Sequence, residues 1–126
     1  MSNHKEKAKK SQDNHQTCPI TISVNIIGGK WKIPILYTLR EETLRFSEIQ
    51  KVLNKVTQKM LTQQLRELER DGLISRKVYA QVPPKVEYSI TPMGRKLEPI
   101  LDSLCNWGKE YKEYINSKDT NSEDAA

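Results

Sequence analysis

The chain has 126 residues, of which 36% are hydrophobic and 29% charged, and its formal net charge is +5. This length suits one domain. It contains no apolar run of about 18 residues, which argues against a membrane span, and no signal-peptide core follows its basic N-terminus. We therefore expect a cytoplasmic protein, in which the two cysteines, Cys18 and Cys105, are not an obligatory disulfide.

Both ends of the chain are more polar than its middle. Residues 1–16 and 117–126 contain too little apolar surface to offset the entropy of ordering. We predict a disordered arm at 1–16, a folded domain at 17–116 and a disordered tail at 117–126. Residues 30–95 hold thirteen Lys and Arg against seven Asp and Glu, which suits a polyanionic partner and also an ordinary solvated surface.

The first part of the domain is predicted to be helical. Ile20–Ile27 indicates a short helix that ends at a pair of glycines. Trp31–Leu39 is a strongly apolar second helix, with Pro34 near its first turn, where a missing N–H is tolerated. Leu44–Phe46 is expected to be extended.

Two further helices follow with a short turn between them. Ser47 is expected to cap a helix at Glu48–Leu53, with a glutamine three residues later to complete a capping box. Thr57 is expected to cap the next helix, which ends at Asp71, with Gly72 as its left-handed stop.

A hairpin and a last helix complete the predicted domain. Leu73–Tyr79 and Lys85–Ile90 are rich in strand formers, and the two prolines between them cannot continue a ladder. Thr91 is expected to cap the last helix, and Pro99 to kink or break it near residues 96–98. A helix pair with a tight turn, followed by a hairpin, predicts an α+β fold of the winged helix-turn-helix type.

The helical period assigns two faces to the helix that starts after Thr57. Leu61, Leu65 and Leu68 fall on one side and are predicted to pack inward. The opposite side carries no acidic residue and holds Lys59, Thr62, Gln63, Arg66 and Arg70, while Glu67 and Glu69 fall on its flanks. Arg and Gln can read guanine and adenine in the major groove of DNA. We expect DNA contacts from Thr57, Gln58, Lys59, Thr62, Gln63 and Arg66; the alternative is an ordinary solvated face.

The hairpin is the second candidate DNA contact. Arg76, Lys77 and Lys85 are expected around its tip, where a wing neutralises phosphates along the backbone or minor groove. Alternatively, these charges keep an exposed hairpin from pairing edge to edge with another copy.

The last helix carries a wide apolar stripe. It follows a compact core, so we expect the stripe to meet a second copy of the chain, although it could instead close the domain's own core. The expected interface residues are Leu97, Ile100, Leu101, Leu104, Trp107 and Tyr111. A two-fold dimer would set two recognition helices one DNA turn apart, about 34–36 Å, which suits a palindromic operator.

Several blocks of the sequence, in this order, resemble the HxlR-type winged-helix regulators, relatives of the MarR family. The blocks are Cys18-Pro19, Ile27–Lys32, Leu44–Ile49, Thr57–Glu69, Val82–Thr91 and Trp107-Gly108. The resemblance covers about Cys18–Tyr114, nearly the whole expected domain.

The resemblance implies a homodimer on operator DNA, with the N- and C-terminal helices at the interface. It also implies that Thr57–Arg70 is the recognition helix and Tyr79–Lys85 the wing tip. Family members repress or activate nearby genes, and we expect a repressor. Several members, though not all, respond to electrophiles or oxidants through the cysteine that matches Cys18.

The position of Cys18 before the first helix supports a thiol switch, because a helix N-terminus favours the thiolate. Cys105 could then form a disulfide with it across two subunits. Alternatively, Cys18 is structural and Cys105 a small interface hydrophobe. The effector of such a switch would be a small electrophile or oxidant.

Other classes of function find little support in the sequence. Cys18 has no histidine nearby in the expected domain, and no cluster has metal-ligand spacing. We expect no enzyme, no metal and no cofactor. A winged helix that binds only proteins is a further alternative, which the acid-free helix face argues against.

Overall fold

A computed structural model describes the backbone of residues 18–125 and the side chains of residues 18–118. The predicted arm at 1–16 lies outside the described residues. The elements, in chain order, are α1 (Pro19–Ile27), α2 (Lys32–Leu39), β1 (Leu44–Arg45), α3 (Phe46–Leu53), α4 (Gln58–Arg70), β2 (Ile74–Tyr79), β3 (Lys85–Ile90), α5 (Pro92–Arg95) and α6 (Glu98–Ala125).

The three strands form one antiparallel sheet in the order β1-β3-β2. The predicted hairpin is confirmed, with Ile74 opposite Ile90 at its base and Tyr79 opposite Lys85 at its far end. The short strand β1 pairs with the other edge of β3, so that Leu44 lies opposite Tyr88. Strand β3 is therefore paired on both of its edges at Glu87 and Tyr88, while the end of the hairpin extends beyond β1.

One apolar core joins α2, α3, α4, the base of the hairpin and the start of α6. Its fully buried side chains are Ile35, Leu36, Leu39, Ile49, Leu61, Leu65, Leu68, Ile74 and Leu101. With an α3–turn–α4 pair and a hairpin beside it, the chain has the predicted α+β winged helix-turn-helix architecture.

The turn between α3 and α4 is closed by local hydrogen bonds. Asn54 ends α3 with a positive φ of 65°, and Gln50 Nε2 donates to the Val56 carbonyl at 3.5 Å. Thr57 caps α4 as predicted, since its hydroxyl accepts from the Met60 N–H at 3.1 Å. Gly72 follows α4 with φ +78°, which is the predicted left-handed stop.

The predicted cap at Ser47 is wrong, because α3 begins at Phe46, two residues before the predicted start at Glu48. Arg45 is the N-cap residue, and its backbone N–H donates to Glu48 Oε1 at 2.8 Å. The reason is that Arg45 is also the last residue of β1, opposite Glu87. The chain leaves the sheet there and turns directly into the helix.

The last helical region is broken near residues 96–98, as the position of Pro99 in the sequence predicted. The short α5 begins after Thr91 and ends at Arg95, and α6 begins at Glu98. Pro99 thus lies in the first turn of α6, where it costs no hydrogen bond. The helix does not end at Asn116 but continues to Ala125, so residues 117–125 are helical, where the sequence predicted a disordered tail. That segment contains no proline or glycine to stop the helix.

Among the helices of the described residues, none has the length and apolar character needed to cross a bilayer.

Thr91 joins the end of α4 to the last helices, which gives a test of the fold. Its hydroxyl donates to the Gly72 carbonyl at 2.6 Å and accepts from the Gly94 N–H at 3.1 Å. Thr91→Ala removes both bonds and should lower the free energy of unfolding by about 1–2 kcal/mol in urea denaturation. Thr91→Ser keeps the hydroxyl and is the control. Equal losses in the two variants would contradict this role.

Candidate nucleic-acid interface

Helix α4 presents one face to the core and the other to solvent. Leu61, Leu65 and Leu68 are 0–2% exposed, as the helical period predicted. Gln58, Lys59, Gln63 and Arg66 are exposed on the other side. The apolar stripe therefore fixes which side chains of α4 a partner can reach.

The outer face of α4 borders an open surface concavity. It is lined by Gln58, Lys59, Thr62, Gln63, Arg66 and Glu67. The structure thus brings together five of the six residues of α4 and its cap that the sequence predicted to contact DNA. Thr57 is absent from this lining, and its hydroxyl is engaged in the helix cap. The Thr62 hydroxyl also donates a hydrogen bond within the helix, to the Gln58 carbonyl at 2.8 Å. This leaves the Thr62 methyl group for contact with a partner.

Glu67 is the one acidic residue of this lining, and sequence analysis placed it on a flank. Its carboxylate lies 2.7 Å from the ammonium of Lys32, a buried residue of α2. Hydrogen bonds from Lys32 and then from Gln63 hold the pKa of Glu67 below its ordinary value. The carboxylate is therefore ionised at neutral pH and already neutralised from the protein side.

The pairing of Lys32 with Glu67 is not among the contacts predicted from the sequence. One signal was available, since Lys32 is a lone charge in a helix of otherwise apolar and uncharged polar residues, KIPILYTL. Such a charge is buried only when it is paired. The sequence did not show that the partner of Lys32 is Glu67, which lies 35 positions further along the chain.

Arg66 of α4 shares a concavity with residues of the hairpin. A second, smaller concavity is lined by Phe46, Thr62, Leu65, Arg66, Glu69, Arg76 and Tyr88. Arg66 borders both concavities. Burial raises the pKa of Tyr88, which lines the second concavity, and the nearby guanidinium groups of Arg76 and Arg66 oppose that shift. Any ligand that follows α4 toward the hairpin passes Arg66.

The expected position of Arg76 at the wing tip is wrong. Arg76 lies within β2 opposite Tyr88, and its Nε is 3.5 Å from Glu69 Oε1 of α4. It therefore braces the base of the hairpin against α4. The cause is strand register: Arg76 is two positions from the start of β2 at Ile74 and three from its end at Tyr79, so it lies in the half of the strand nearer the base.

Lys77 and Lys85, in contrast, do lie near the end of the hairpin. Their ammonium groups are 4.9 and 4.8 Å from the centre of the Tyr79 ring. Lys85 Nζ is also 3.3 Å from Glu87 Oε2, and hydrogen bonds from Tyr79 and then Lys85 lower the pKa of Glu87. The tip itself carries Val82, which is fully exposed.

The apolar stripe of α6 divides into two parts. Leu101 is 1% exposed and Leu97 packs against the same core, so these two expected interface residues serve the chain's own core. The other four expected interface residues are 43–60% exposed: Ile100, Leu104, Trp107 and Tyr111. The neighbouring Tyr114 and Ile115 are exposed to a similar extent. Trp107 and Tyr111 stack with ring centres 5.1 Å apart.

Helix α1 is similarly apolar, and none of its residues is buried. Ile20, Ile22 and Val24 are 48–69% exposed. Ile22 and Ile100 line one apolar groove between α1 and α6. Together, the outer faces of the two helices form an exposed apolar surface that we call the terminal-helix face.

The two cysteines lie on these two helices. Cys18 is the N-cap residue of α1 and is half-buried. Cys105 is half-buried on α6, where the Tyr37 hydroxyl donates to its Sγ at 3.7 Å. Both are free thiols in this structure.

Comparison with known proteins supports one family. A family model described as HxlR-like helix-turn-helix matches residues 26–116. The Bacillus subtilis HTH-type transcriptional regulator YdeP, itself uncharacterised, is 52% identical over 116 residues, which are 92% of this chain and 91% of that protein.

Solved structures agree with this assignment. The reduced form of the redox regulator HypR superposes with a TM-score of 0.75 at 46% identity, covering 79% of this chain and 98% of that one. The reduced form of the transcriptional regulator YodB from Bacillus subtilis has a TM-score of 0.65 at 30% identity, covering 75% and 94%. The chain belongs to the HxlR-like helix-turn-helix family of DNA-binding transcriptional regulators.

Proposed function

We propose that this chain is a repressor that binds a palindromic operator as a homodimer in the cytoplasm, with α4 in the major groove. The observation that carries the proposal is the outer face of α4. It presents Lys59, Gln63 and Arg66 to solvent, and its one carboxylate is already paired with Lys32. A phosphate-lined groove would repel an unpaired carboxylate at this place.

The length and polarity of α4 suit the major groove. Its 13 residues span about 20 Å at 1.5 Å per residue. Arg66 and Gln63 are the candidates for base edges. Thr57 and Gln58 lie at the N-terminus, where free backbone N–H groups favour a phosphate, and Lys59 adds a positive charge there.

The hairpin extends the same surface. Lys77 and Lys85 lie near its end, in the place where a wing meets the DNA backbone. Each is already close to the Tyr79 ring, which limits its motion. Arg76, paired with Glu69 at the base, is assigned to holding the wing in place and not to phosphate contact.

Arg66 gives the most direct test of base recognition. Arg66→Ala should cost about 1–3 kcal/mol in binding to the operator and relax its sequence preference, as measured by fluorescence anisotropy with single-base operator variants. Arg95→Ala is the control, because it removes the same charge from α5, where Arg95 is paired with Glu98.

An Arg66→Ala protein with unchanged affinity and preference would contradict the assignment of α4. Binding that does not weaken with salt would favour the alternative, a winged helix that recognises only proteins, because DNA binding releases counterions and falls steeply with salt.

The terminal-helix face is the proposed dimer interface. Exposed Trp, Tyr and Leu side chains on one surface are typical of the centre of an interface between subunits. The stacked Trp107 and Tyr111 lie on the half of α6 that projects past Leu101, beyond the buried core. Pairing of this face between two copies would set the distance between their two α4 helices.

Trp107→Ala should shift the dimer toward monomer, with a loss of about 2 kcal/mol or roughly thirtyfold in the dissociation constant. Sedimentation equilibrium would measure it. Lys109→Ala is the control, since Lys109 is exposed two positions further on the other side of α6. A dimer as tight as the unmodified one would exclude Trp107 from the interface.

We further propose that oxidation or electrophile modification of Cys18 controls operator binding. Relatives named as the redox regulator HypR, in oxidised and reduced forms, and diamide-treated YodB support this proposal. Cys18 lies at the start of α1, on the proposed interface, where a modification would disturb subunit pairing. Two thiols that lose two protons and two electrons to an oxidant form one disulfide, and Cys105 of the second subunit is the proposed partner.

Diamide should abolish operator binding by the unmodified protein, and Cys18→Ser should bind the operator equally with and without diamide. Gel shift would measure both. Cys105→Ser should prevent the crosslinked dimer on a non-reducing gel. A Cys18→Ser protein that still loses binding on diamide would exclude Cys18 as the sensor, and a failure of the unmodified protein to crosslink would exclude the Cys105 pairing.

A further inference from the structure

Lys32 is the one polar or charged side chain that the fold buries among the described residues, with 6% of its surface exposed. It lies in α2 among core residues such as Ile35 and Leu36. A buried ammonium is stable only when it is paired and hydrogen-bonded. The Lys32 Nζ meets Glu67 Oε1 at 2.7 Å, so α2 holds a carboxylate of α4 in a fixed place.

The other oxygen of this carboxylate reaches the solvent side. Glu67 Oε2 accepts a hydrogen bond from Gln63 Nε2 at 3.2 Å, since residues four apart lie above one another on a helix. The carboxylate thus bridges a buried ammonium and an exposed amide. It links the core to the one glutamine in the middle of the proposed reading face.

This arrangement selects the orientation of the Gln63 amide. A carboxylate only accepts hydrogen bonds, whereas a primary amide has an NH₂ end that donates and an oxygen that accepts. Turning the amide over would set its oxygen against Glu67. With one N–H donated to Glu67, the second N–H and the oxygen remain, and this donor–acceptor pair matches N7 and the N6 amino group of adenine.

We propose that Lys32 is a positioning residue that, through Glu67, orients Gln63 to select adenine at one base pair of the operator. Lys32 itself does not touch DNA in this proposal. The inference rests on the proposed function, in which α4 lies in the major groove.

The test starts from an operator that the full chain selects from random duplex DNA. Every single-base variant of that operator is then measured by fluorescence anisotropy. The unmodified protein should lose about tenfold in affinity when one particular adenine is replaced, the discrimination expected of a bidentate base contact. Gln63→Ala identifies that position by losing the preference there.

Lys32→Met and Glu67→Gln should lose most of the preference at the same position and keep the preferences elsewhere. Methionine fills the space of the lysine stem without its charge, and glutamine leaves one oxygen for Lys32 but no certain acceptor for Gln63. Lys30→Met is the matched control, because Lys30 is exposed and two positions away. It should keep the adenine preference.

A double variant separates positioning from general stability. Lys32→Met combined with Gln63→Ala should show no further loss of adenine preference beyond Gln63→Ala alone, since both act through one amide. If either single variant fails to fold by circular dichroism, the double variant Lys32→Met/Glu67→Gln decides, because it removes both charges together and leaves no unpaired charge in the core.

The inference is overturned if the folded variants at Lys32 and Glu67 keep the full preference, or if they weaken binding to all sequences alike. These outcomes leave the proposed function intact, because the unmodified protein would still prefer its operator. An unmodified protein that selects no operator overturns the proposed function and the inference together.

Discussion

The packing of three leucines of α4 against the core is the constraint on which the rest of the structure depends. Leu61, Leu65 and Leu68 are nearly inaccessible to solvent, and each contributes about 1.5–3 kcal/mol of hydrophobic free energy when buried. Rotation of α4 about its axis would expose them, so the rotation is fixed. The same packing directs Lys59, Gln63 and Arg66 outward. The burial that stabilises the domain therefore also determines which side chains of α4 a partner can contact.

Polar contacts further restrict the orientation of α4 that the three leucines determine. Lys32 reaches Glu67 from the core side, and Arg76 reaches Glu69 from the hairpin. Both acidic residues on the flanks of α4 are therefore held by cations that belong to other elements. Helix α4 is thus fixed at two points, to α2 and to the hairpin. Because both carboxylates are paired, the outer face of α4 keeps an excess of positive charge toward a partner.

The local pattern of the sequence was enough to predict most of the elements and both faces of α4. Caps at Thr57 and Thr91, the glycine stop at Gly72 and the break before Pro99 depend on residues close in the chain. Three differences between expectation and structure have long-range causes. Pairing of Arg45 with Glu87 in β3 moved the start of α3, strand register placed Arg76 at the base of the hairpin, and the partner of Lys32 lies on another helix.

The apolar stripe of α6 shows another limit of sequence analysis. Periodicity identifies the stripe but not what covers it, and here Leu97 and Leu101 belong to the chain's own core while Trp107 and Tyr111 are exposed. The terminal-helix face is thus a surface distinct from the outer face of α4. In the proposed dimer, regulation through Cys18 would act on this surface, which would set the spacing of the two α4 helices, and not on α4 itself.

The central claim is that α4 reads a specific DNA sequence. Its most direct test is the affinity of the unmodified protein for the selected operator and for a scrambled duplex across a series of salt concentrations. We expect the logarithm of the affinity to fall linearly with the logarithm of the salt concentration, by about 0.9 per phosphate contact, and the operator to bind at least about a thousandfold tighter than the scrambled duplex. Equal affinity for the two duplexes, or affinity that does not change with salt, would contradict it.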